Sequence, residues 1–321
     1  MTDNNSFLYL SDEVMDGLDV STAEAVDSIE RLITQLDASK AWSAPKSVIL
    51  TPDGRYMMAT LAATDDPRVM AVKSLVLNPR NVDNGLPQIN GTITLLDSET
   101  GLPLAVMDGN WVTAVRTAGL SAIAAKHMAR PDASIIAFVG CGVQAHSHLQ
   151  AFTDLFPLSE IHAFGRGTHN RDKLCRAAEE KGLTAVASTS AEEALRGADI
   201  VVSSVTFSTG LEPFLDARWL KPGAFACVTD IAAPWMRQHF SAFDRIIVDD
   251  QEQEAAMPVP MADPAMVTGD LFGLVNGRSQ GRGSPDERTG FMFRGLSVGD
   301  LALAALAYRK AKQASKGTPV G

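Results

Sequence analysis

The stretch AFVGCGVQAH, residues 137–146, is the part of this 321-residue sequence that decides the fold. It joins an apolar run typical of a buried strand to a glycine-rich turn and the first residues of a helix. Gly140, Gly142 and Ala145 form the pattern G-x-G-x-x-A. The first glycine permits a tight turn, the second lets the backbone approach a pyrophosphate, and the alanine allows close packing of helix on strand. Because a helix start also presents free N–H groups, the pattern predicts a dinucleotide-binding turn.

The sequence around that turn alternates short apolar runs with helical segments. The runs are too short for buried helices, and Gly or Asp bounds almost every one of them. Apolar strands joined by helices are what a parallel sheet covered on both faces requires. The runs are SIIAFVG (134–140), EIHAFG (160–165), LTAVA (183–187), DIVVSSV (199–205), AFACVTD (224–230) and RIIVDD (245–250).

The N-terminal third has a different pattern. Ser21 and Glu24 stand at capping-box spacing at the start of an amphipathic helix. Residues 46–115 then give short apolar segments separated by turns, which predicts several antiparallel strands. A last helix begins near Ser297 and carries its cations at the C-terminal end, where the helix dipole favours them.

These patterns place the chain in the α/β class. We expect a Rossmann-type doubly wound parallel sheet over residues 118–296, which would be the NAD(P)-binding domain. An α+β domain would consist of residues 1–117, completed by the C-terminal helix at about 297–321.

Composition excludes several classes of function. A formal net charge of −10 argues against nucleic acid or an anionic membrane as the main partner. Three widely spaced cysteines fit neither a disulfide framework nor a zinc site, and His146 and His148 point to different faces of their helix, as core or surface histidines do. No metal is expected. With no signal peptide and no apolar run long enough for a bilayer, we expect a cytoplasmic protein, disordered in its first few residues and in its tail, 313–321.

The end of the second predicted strand bears on the choice of cofactor. An acidic residue there reads the adenosine ribose of NAD, whereas this chain has AFGRGTHNR with Arg166 and no carboxylate in place. Arg166 would bind the 2′-phosphate of NADP, or is a solvated loop arginine. The cofactor is expected to be NAD(P)(H), with NADP slightly favoured over NAD.

Three longer stretches resemble one family. They are GLPLAVMDGNWVTAVRTAGLSAIAAKHMARPDA (101–133), FVGCGVQA (138–145) and GDLFGLVNGRSQGRGSPDERTGFMFRGLSVGDLALAALAYRKA (269–311). Together they are similar, in order and over nearly the whole chain, to the ornithine cyclodeaminase/μ-crystallin family. The resemblance implies a homodimer, with a substrate-binding and dimerisation domain and a substrate lying in the interdomain cleft against the nicotinamide. It also implies cofactor-binding residues, which are Thr117, Gly140, Gly142, Val143, Gln144, Arg166, Thr206 and Ser297.

The resemblance further implies a site for the substrate carboxylate. Lys73 and Arg116 match the family's lysine and second arginine, and Lys46 stands where the family has its first arginine. The sequence supports the first two independently, because a cation inside an apolar run or a helix of small residues is costly without an anion. A structural ion pair is the alternative for each. Lys46 keeps the charge but loses the bidentate fork of an arginine.

Other positions depart from the family pattern. Cyclodeaminases carry a glutamate two residues before the methionine of an MP pair, and here Tyr56 takes its place before Met58. Gln88 replaces a threonine that helps to bind the carboxylate. Asp230 stands two residues before the position of the family's aspartate, where it would relay a proton to the substrate nitrogen or serve as a helix-cap or turn residue. Arg294 would read a second anionic group on the substrate, or is a surface arginine.

The sequence therefore predicts an NAD(P)-dependent oxidoreductase acting on the C–N bond of a small imino or amino acid. Its substrate-binding residues would be Lys46, Tyr56, Met58, Lys73, Gln88, Arg116 and Arg294, with Lys73 and Asp230 as catalytic residues. The missing glutamate and Arg166 favour an imino-acid or cyclic ketimine reductase, which is an amino-acid dehydrogenase in reverse. Two alternatives stay open: an ornithine or lysine cyclodeaminase that uses bound NAD and releases ammonia, and a non-catalytic ligand-binding protein like μ-crystallin.

Overall fold

A computed structural model describes residues 6–206 and 210–321. The strands are β1 (Phe7–Leu10), β2 (Ala41–Ser43), β3 (Ser47–Leu50), β4 (Tyr56–Asp65), β5 (Arg68–Leu77), β6 (Ile89–Asp97), β7 (Pro103–Asp108), β8 (Ile135–Val139), β9 (Glu160–Phe164), β10 (Thr184–Ala187), β11 (Ile200–Ser203), β12 (Phe225–Val228), β13 (Arg245–Val248), β14 (Val267–Asp270), β15 (Thr289–Met292) and β16 (Thr318–Val320). The α-helices are α1 (Asp12–Asp16), α2 (Thr22–Asp37), α3 (Gly109–Met128), α4 (Val143–Leu155), α5 (Thr168–Glu179), α6 (Ala191–Leu195), α7 (Gln251–Ala255), α8 (Leu271–Val275) and α9 (Ser297–Gln313).

The chain divides into two compact units. The first comprises Met1–Arg116 and Leu296–Gly321, and the second comprises Thr117–Gly295. Helix α3 contains the boundary between residues 116 and 117.

The first unit is built on a mixed sheet with the order β16-β1-β7-β6-β5-β4-β2, with β3 also paired to β4. Strands β4 to β7 pair with one another in antiparallel register, as the turn-separated segments predicted. Helix α9 packs on α2 and on strands β4 and β5. The α2 capping box is present: Ser21 Oγ accepts the Glu24 N–H at 3.2 Å, and Glu24 Oε2 accepts the Ser21 N–H at 2.9 Å.

The tail of the chain corrects one expectation. Residues 318–320 form β16, which pairs antiparallel with β1, so the predicted disorder of the tail is wrong. Residues 318–320 are too few, and too close to Gly and Pro, for their sequence to predict a strand. They form one because β1 is available to pair with them. The first five residues, also expected to be disordered, lie outside the described residues.

The second unit is a Rossmann-type parallel sheet with the order β10-β9-β8-β11-β12-β15-β13-β14. Every residue of β11, β12 and β15 is buried, so both faces of these central strands are covered. This is the predicted fold class, although strands β14 and β15 were not predicted. The strand order reverses between β8 and β11, and doubly wound folds bind ligands outside the carboxyl ends of the strands at such a switch point.

Candidate active site

The turn after β8 requires a glycine at its first position. Gly140 has a φ of +90°, and a Cβ built there would lie 2.6 Å from the backbone oxygen of Ser204. The Gly140 N–H donates to the Phe164 oxygen at 2.9 Å, while Ser204 Oγ donates to the Gly140 oxygen at 3.1 Å. Any side chain at this position would therefore collide with the segment that follows β11.

Gly142 has a different role. It is the N-cap of α4 and has a φ of −85°, and a Cβ built there would have no atom of the described residues within 4 Å apart from those of its two chain neighbours. No side chain of the described residues caps α4, and the residue that follows its N-cap, Val143, is 68% exposed. An uncapped helix start behind an unobstructed glycine fits a dinucleotide pyrophosphate.

A buried hydrogen-bond chain links the first turn of α4 to α3. His148 Nδ1 lies 2.7 Å from the Gln144 oxygen, and Nε2 lies 2.8 Å from Ser121 Oγ, which donates to the Thr117 oxygen at 2.9 Å. Burial lowers the pKa of His148 to about 4. His148 is thus a core histidine, one of the two placements expected for it. The chain of bonds fixes Thr117 and Gln144, two predicted cofactor-binding residues, relative to each other.

Two further predicted cofactor residues lie at the carboxyl edge of the same sheet. Arg166 is exposed two residues after β9, and Thr206 is exposed after β11, across the switch point from the glycine turn. Ser297, in contrast, is the buried first residue of α9 and belongs to the first unit.

Asp230 follows β12 at this carboxyl edge. Its Oδ1 accepts the Ser203 hydroxyl at 3.2 Å, and its Oδ2 accepts the Val205 N–H at 3.1 Å. Trp235 Nε1 lies 2.8 Å from Ser203 Oγ. Since an indole N–H only donates, Ser203 accepts from Trp235 and gives its own proton to Asp230.

Burial raises the pKa of Asp230 to about 7, against the opposing effect of the Val205 and Ser203 donors. Asp230 is 7% exposed and caps none of the described helices, but its backbone oxygen accepts the Ala233 N–H at 3.1 Å, so it also begins a turn. A carboxyl group that titrates near neutral pH at a sheet edge is suited to exchange a proton with a ligand.

The first unit holds a separate cluster of buried charges. Lys73 Nζ and Arg116 Nε both donate to Oδ1 of Asp300, at 2.9 and 3.1 Å, and Thr60 Oγ1 lies 3.4 Å from Oδ2. The side chains of Lys73, Asp300 and Arg116 are 1%, 5% and 10% exposed. The structure therefore contains the ion pairs that were the alternative interpretation of Lys73 and Arg116, and both are made to one carboxylate.

Asp300 is a site residue that the sequence analysis missed. The signal was present, because Asp300 interrupts the apolar run that begins the last helix. Burial opposes its ionisation, but the charges of Lys73, Arg116 and Lys46 hold the pKa of Asp300 below its ordinary value. Burial also lowers the pKa of Lys73, to about 8, and Asp300 opposes that effect.

The remaining predicted residues of the first unit lie near this cluster or along the same strands. Lys46 is partly buried just before β3, and its charge acts on Asp300. Tyr56 and Met58 are partly buried on the face of β4 that also carries Thr60. Gln88 directly precedes β6, at the end where Leu77 pairs with both Tyr56 and Ile89, and its Nε2 donates to the Pro79 oxygen at 3.5 Å.

Arg294 lies in the second unit and forms an ion pair with Glu254. Its Nε donates to Glu254 Oε2 at 2.6 Å, and its terminal nitrogen donates to the Val259 oxygen at 2.6 Å. With a side chain only 14% exposed, Arg294 is not a free surface arginine. The structure gives it a partner other than a substrate.

The described ranges, 6–206 and 210–321, lack two kinds of feature. None of the helices there is both long and apolar enough to cross a membrane. No group of three or more His, Cys, Asp or Glu side chains in those ranges is arranged to hold a metal ion.

The second unit has a parallel sheet with a glycine turn at its switch point, and the first unit carries a buried cation cluster. These features define a two-unit dinucleotide-binding protein. Residues 5–315 match the sequence model of the ornithine cyclodeaminase/mu-crystallin family. The chain belongs to that family.

Individual proteins show the same similarity. The ketimine reductase mu-crystallin of Rattus norvegicus is 31% identical over 78% of this chain and 79% of its own. The structure of the Thermococcus litoralis Δ1-pyrroline-2-carboxylate reductase in complex with NADH and L-proline superposes with a TM-score of 0.90 at 28% identity, covering 98% of this chain and 100% of that one. An archaeal alanine dehydrogenase dimer with bound NAD gives a TM-score of 0.86 at 27% identity, covering 98% and 99%.

Proposed function

We propose that this protein is an NAD(P)-dependent oxidoreductase that reduces the C=N bond of a small imino acid carrying an α-carboxylate, and oxidises the corresponding amino acid in reverse. The observation that carries the proposal is the cation cluster of the first unit. Lys73 and Arg116 bring two buried positive charges to a single carboxylate oxygen of Asp300, with Lys46 adding a third positive charge nearby. Excess buried positive charge calls for an additional anion, and an α-carboxylate supplies it.

The cofactor would be held by the second unit. The first-turn N–H groups of α4, beside Gly142, would bind the pyrophosphate, with Thr117, Val143, Gln144 and Thr206 around them. The dinucleotide, when bound, supplies the hydride for reduction of the C=N bond or accepts it in the reverse direction. Arg166 would favour NADP by binding its 2′-phosphate.

The protein groups would bind the substrate, orient it and exchange a proton. Lys73, Arg116 and Lys46 would hold the α-carboxylate, which fixes the orientation of the adjacent reacting carbon. Protonated Asp230 would donate to the nitrogen as the C=N bond is reduced, and the Asp230 carboxylate would take the proton back in the reverse direction. The pKa of Asp230, raised to about 7 by burial, allows both roles near neutral pH.

A second copy of this chain is the proposed partner. The outward face of the first unit's sheet carries apolar side chains that are between 39% and 62% exposed, and this outward apolar face consists of Trp42, Ile49, Met57, Leu61, Met70 and Val76. An exposed contiguous apolar face of this kind marks a protein interface. The archaeal relative is a dimer, which supports a homodimer here.

The proposal is tested by mixing the protein with NADH or NADPH and a panel of imino acids, including pyrroline-2-carboxylate and piperideine-2-carboxylate. Stoichiometric loss of reduced-nicotinamide absorbance is the expected result, and the preferred dinucleotide identifies the cofactor. Lys73→Met should reduce kcat/KM by at least about 100-fold, since a buried charged hydrogen bond to the substrate contributes about 3 kcal/mol or more.

Other outcomes would reject the reductase. Ammonia release from ornithine or lysine, without net consumption of the dinucleotide, would make the protein a cyclodeaminase. Binding of NADPH and an imino acid without turnover of either would make it a ligand-binding protein.

A further inference from the structure

Asp300 brings two cations from distant parts of the sequence to one oxygen atom. Lys73 comes from β5 and Arg116 from α3, and both donate to Oδ1, while Oδ2 faces Thr60 on β4. The charged groups that act on Asp300 from the surrounding elements are Lys73, Arg116 and Lys46. The single carboxylate of Asp300 therefore pairs directly with two buried cations.

The contacts leave donors for a second acceptor. Lys73 uses one of its three ammonium protons on Asp300. Arg116 uses Nε, and among the described residues its two terminal amino groups make no other hydrogen bond or ion pair. Asp300 thus fixes the Lys73 and Arg116 side chains through one N–H group of each. The other N–H groups of both side chains remain available to a second acceptor.

Helix α9 is also anchored by contacts that do not involve Asp300. Lys310 of α9 donates to Glu24 of α2 at 2.8 Å, and Ser28 Oγ donates to the Ala302 oxygen at 3.1 Å. Apolar side chains of similar volume commonly stabilise a core as well as a buried ion pair does. Asp300 is a buried carboxylate with two cationic partners, and those partners have unused donors. A role in binding an anion explains this arrangement better than a role in stability does.

We propose that Asp300 is a positioning residue, which fixes the Lys73 ammonium and the Arg116 guanidinium as paired donors to the substrate carboxylate. The inference rests on the proposed function, because it assigns Asp300 to the same anion site. Without Asp300, burial would leave Lys73 largely neutral at physiological pH, and Arg116 would lose the acceptor that fixes its Nε.

The test compares Asp300→Asn, which keeps the size but removes the charge, with Asp300→Glu, which keeps the charge but moves it by one methylene. Glu24→Gln is the control, because it breaks the other ion pair of α9 far from the cluster. The pKa of Lys73 is measured by NMR titration of protein with 13C-labelled lysine Cε, its signal being assigned by its loss in Lys73→Arg. Pyrroline-2-carboxylate kinetics with NADPH or NADH are recorded for each variant from pH 6 to 9.5.

In Asp300→Asn, the pKa of Lys73 should fall by about one unit or more, and KM at pH 7.5 should rise at least tenfold, roughly the loss of one charge-assisted hydrogen bond. The alkaline rise of KM should move to lower pH by the same amount, with kcat changed less than KM. Asp300→Glu should keep the Lys73 pKa within about half a unit but raise KM several-fold. Glu24→Gln should leave both quantities unchanged.

The two proposals fail separately. An active enzyme whose Lys73 pKa and KM are the same with and without the Asp300 charge would overturn the role of Asp300 alone. A wild-type protein that reduces no imino acid would overturn the proposed function, whereas the NMR titration needs no turnover and still reports the effect of Asp300 on Lys73. If Asp300→Asn does not fold, a folded Asp300→Glu with unchanged KM would overturn the positioning role.

Discussion

The hydroxyl of Ser203 donates to Oδ1 of Asp230 across 3.2 Å, and the direction of this hydrogen bond is fixed by a neighbouring donor. Trp235 Nε1 already donates to the same hydroxyl oxygen, so the hydroxyl proton can go only to the carboxylate. This bond favours the ionised form of Asp230 and restrains the rise in pKa that burial causes. The Trp235, Ser203 and Asp230 side chains therefore act as one polarised unit.

Ser203→Ala should raise the pKa of Asp230 above about 7. Imine reduction needs protonated Asp230, so its rate falls as pH rises through this pKa, and the variant should show that fall at a pH higher by about one unit. The measurement is kcat against pH with an imino acid. Ser188→Ala is the control, because it removes a buried hydroxyl that has no hydrogen-bond partner among the described residues. Coincident pH profiles for Ser203→Ala and wild type would contradict the role assigned to Asp230.

The two glycines of the turn should respond differently to alanine. Gly142→Ala places its Cβ in open space at a permitted φ, so the free energy of unfolding should stay the same or rise by about 0.5 kcal/mol, while NADPH affinity falls at least about tenfold. Gly140→Ala forces a Cβ to 2.6 Å from the Ser204 oxygen at positive φ and should destabilise the fold. Urea unfolding and fluorescence titration with NADPH measure both effects. Unchanged NADPH affinity in a folded Gly142→Ala would contradict the proposed cofactor position.

The glycine turn shows which features of this fold can be predicted from the sequence and which cannot. The G-x-G-x-x-A pattern after an apolar run predicted the turn, because each position has a local steric requirement that only a small residue meets. The alternation of apolar runs and helices predicted the parallel sheet, because strands covered by helices on both faces must be apolar throughout. Strand β15 was missed because TGFM is short, and its partners β12 and β13 come from elsewhere in the chain.

The anion site likewise has one part that the sequence predicts and one part that it does not. Lys73 and Arg116 were predicted because a cation in an apolar context needs a partner, but the sequence does not say which acid that partner is. Asp300 lies 227 residues from Lys73 and 184 from Arg116, so only the packing of α9 on the sheet brings them together. The partner of Arg294 is hidden from the sequence in the same way, since Glu254 lies 40 residues away and the two side chains meet only after folding.

Arg166 should select between the two dinucleotides. The residue is exposed after β9, and no carboxylate follows that strand to bind the ribose hydroxyls of NAD. Arg166→Ala should raise the Kd of NADPH by about tenfold, or about 1.4 kcal/mol, and change that of NADH much less. Arg176→Ala, which removes an exposed charge from the last turn of α5, is the control. An Arg166→Ala protein with the same Kd as wild type for both NADH and NADPH would assign Arg166 to the solvated surface.

The outward apolar face should hold the homodimer together. Leu61 is 49% exposed on this face, and Leu61→Lys would bury a charge without a partner at a two-fold interface. The dimer Kd should rise by about 100-fold, or about 2.7 kcal/mol, as measured by sedimentation velocity over a dilution series. Val259→Lys alters an apolar residue of the second unit that is 62% exposed, and it should have no effect. A Leu61→Lys protein that associates as tightly as wild type would place the interface elsewhere.

Asp230 should also make the stability of the protein depend on pH in a defined direction. Its folded pKa of about 7 lies above the ordinary value, so between about pH 4 and 7 the unfolded chain releases a proton that the folded protein retains. The free energy of unfolding should therefore fall as pH rises through this window, by on the order of 2–4 kcal/mol, and level off above it. Asp230→Asn lacks this component, so urea unfolding at pH 5 and 7.5 should show wild type losing more stability than the variant. Asp53→Asn is the control, because hydrogen bonds from Thr51 and Arg55 lower the pKa of Asp53 to about 2, outside the window. Parallel pH dependence in wild type and Asp230→Asn would mean that Asp230 is ionised throughout, and it would then have no proton to donate near neutral pH.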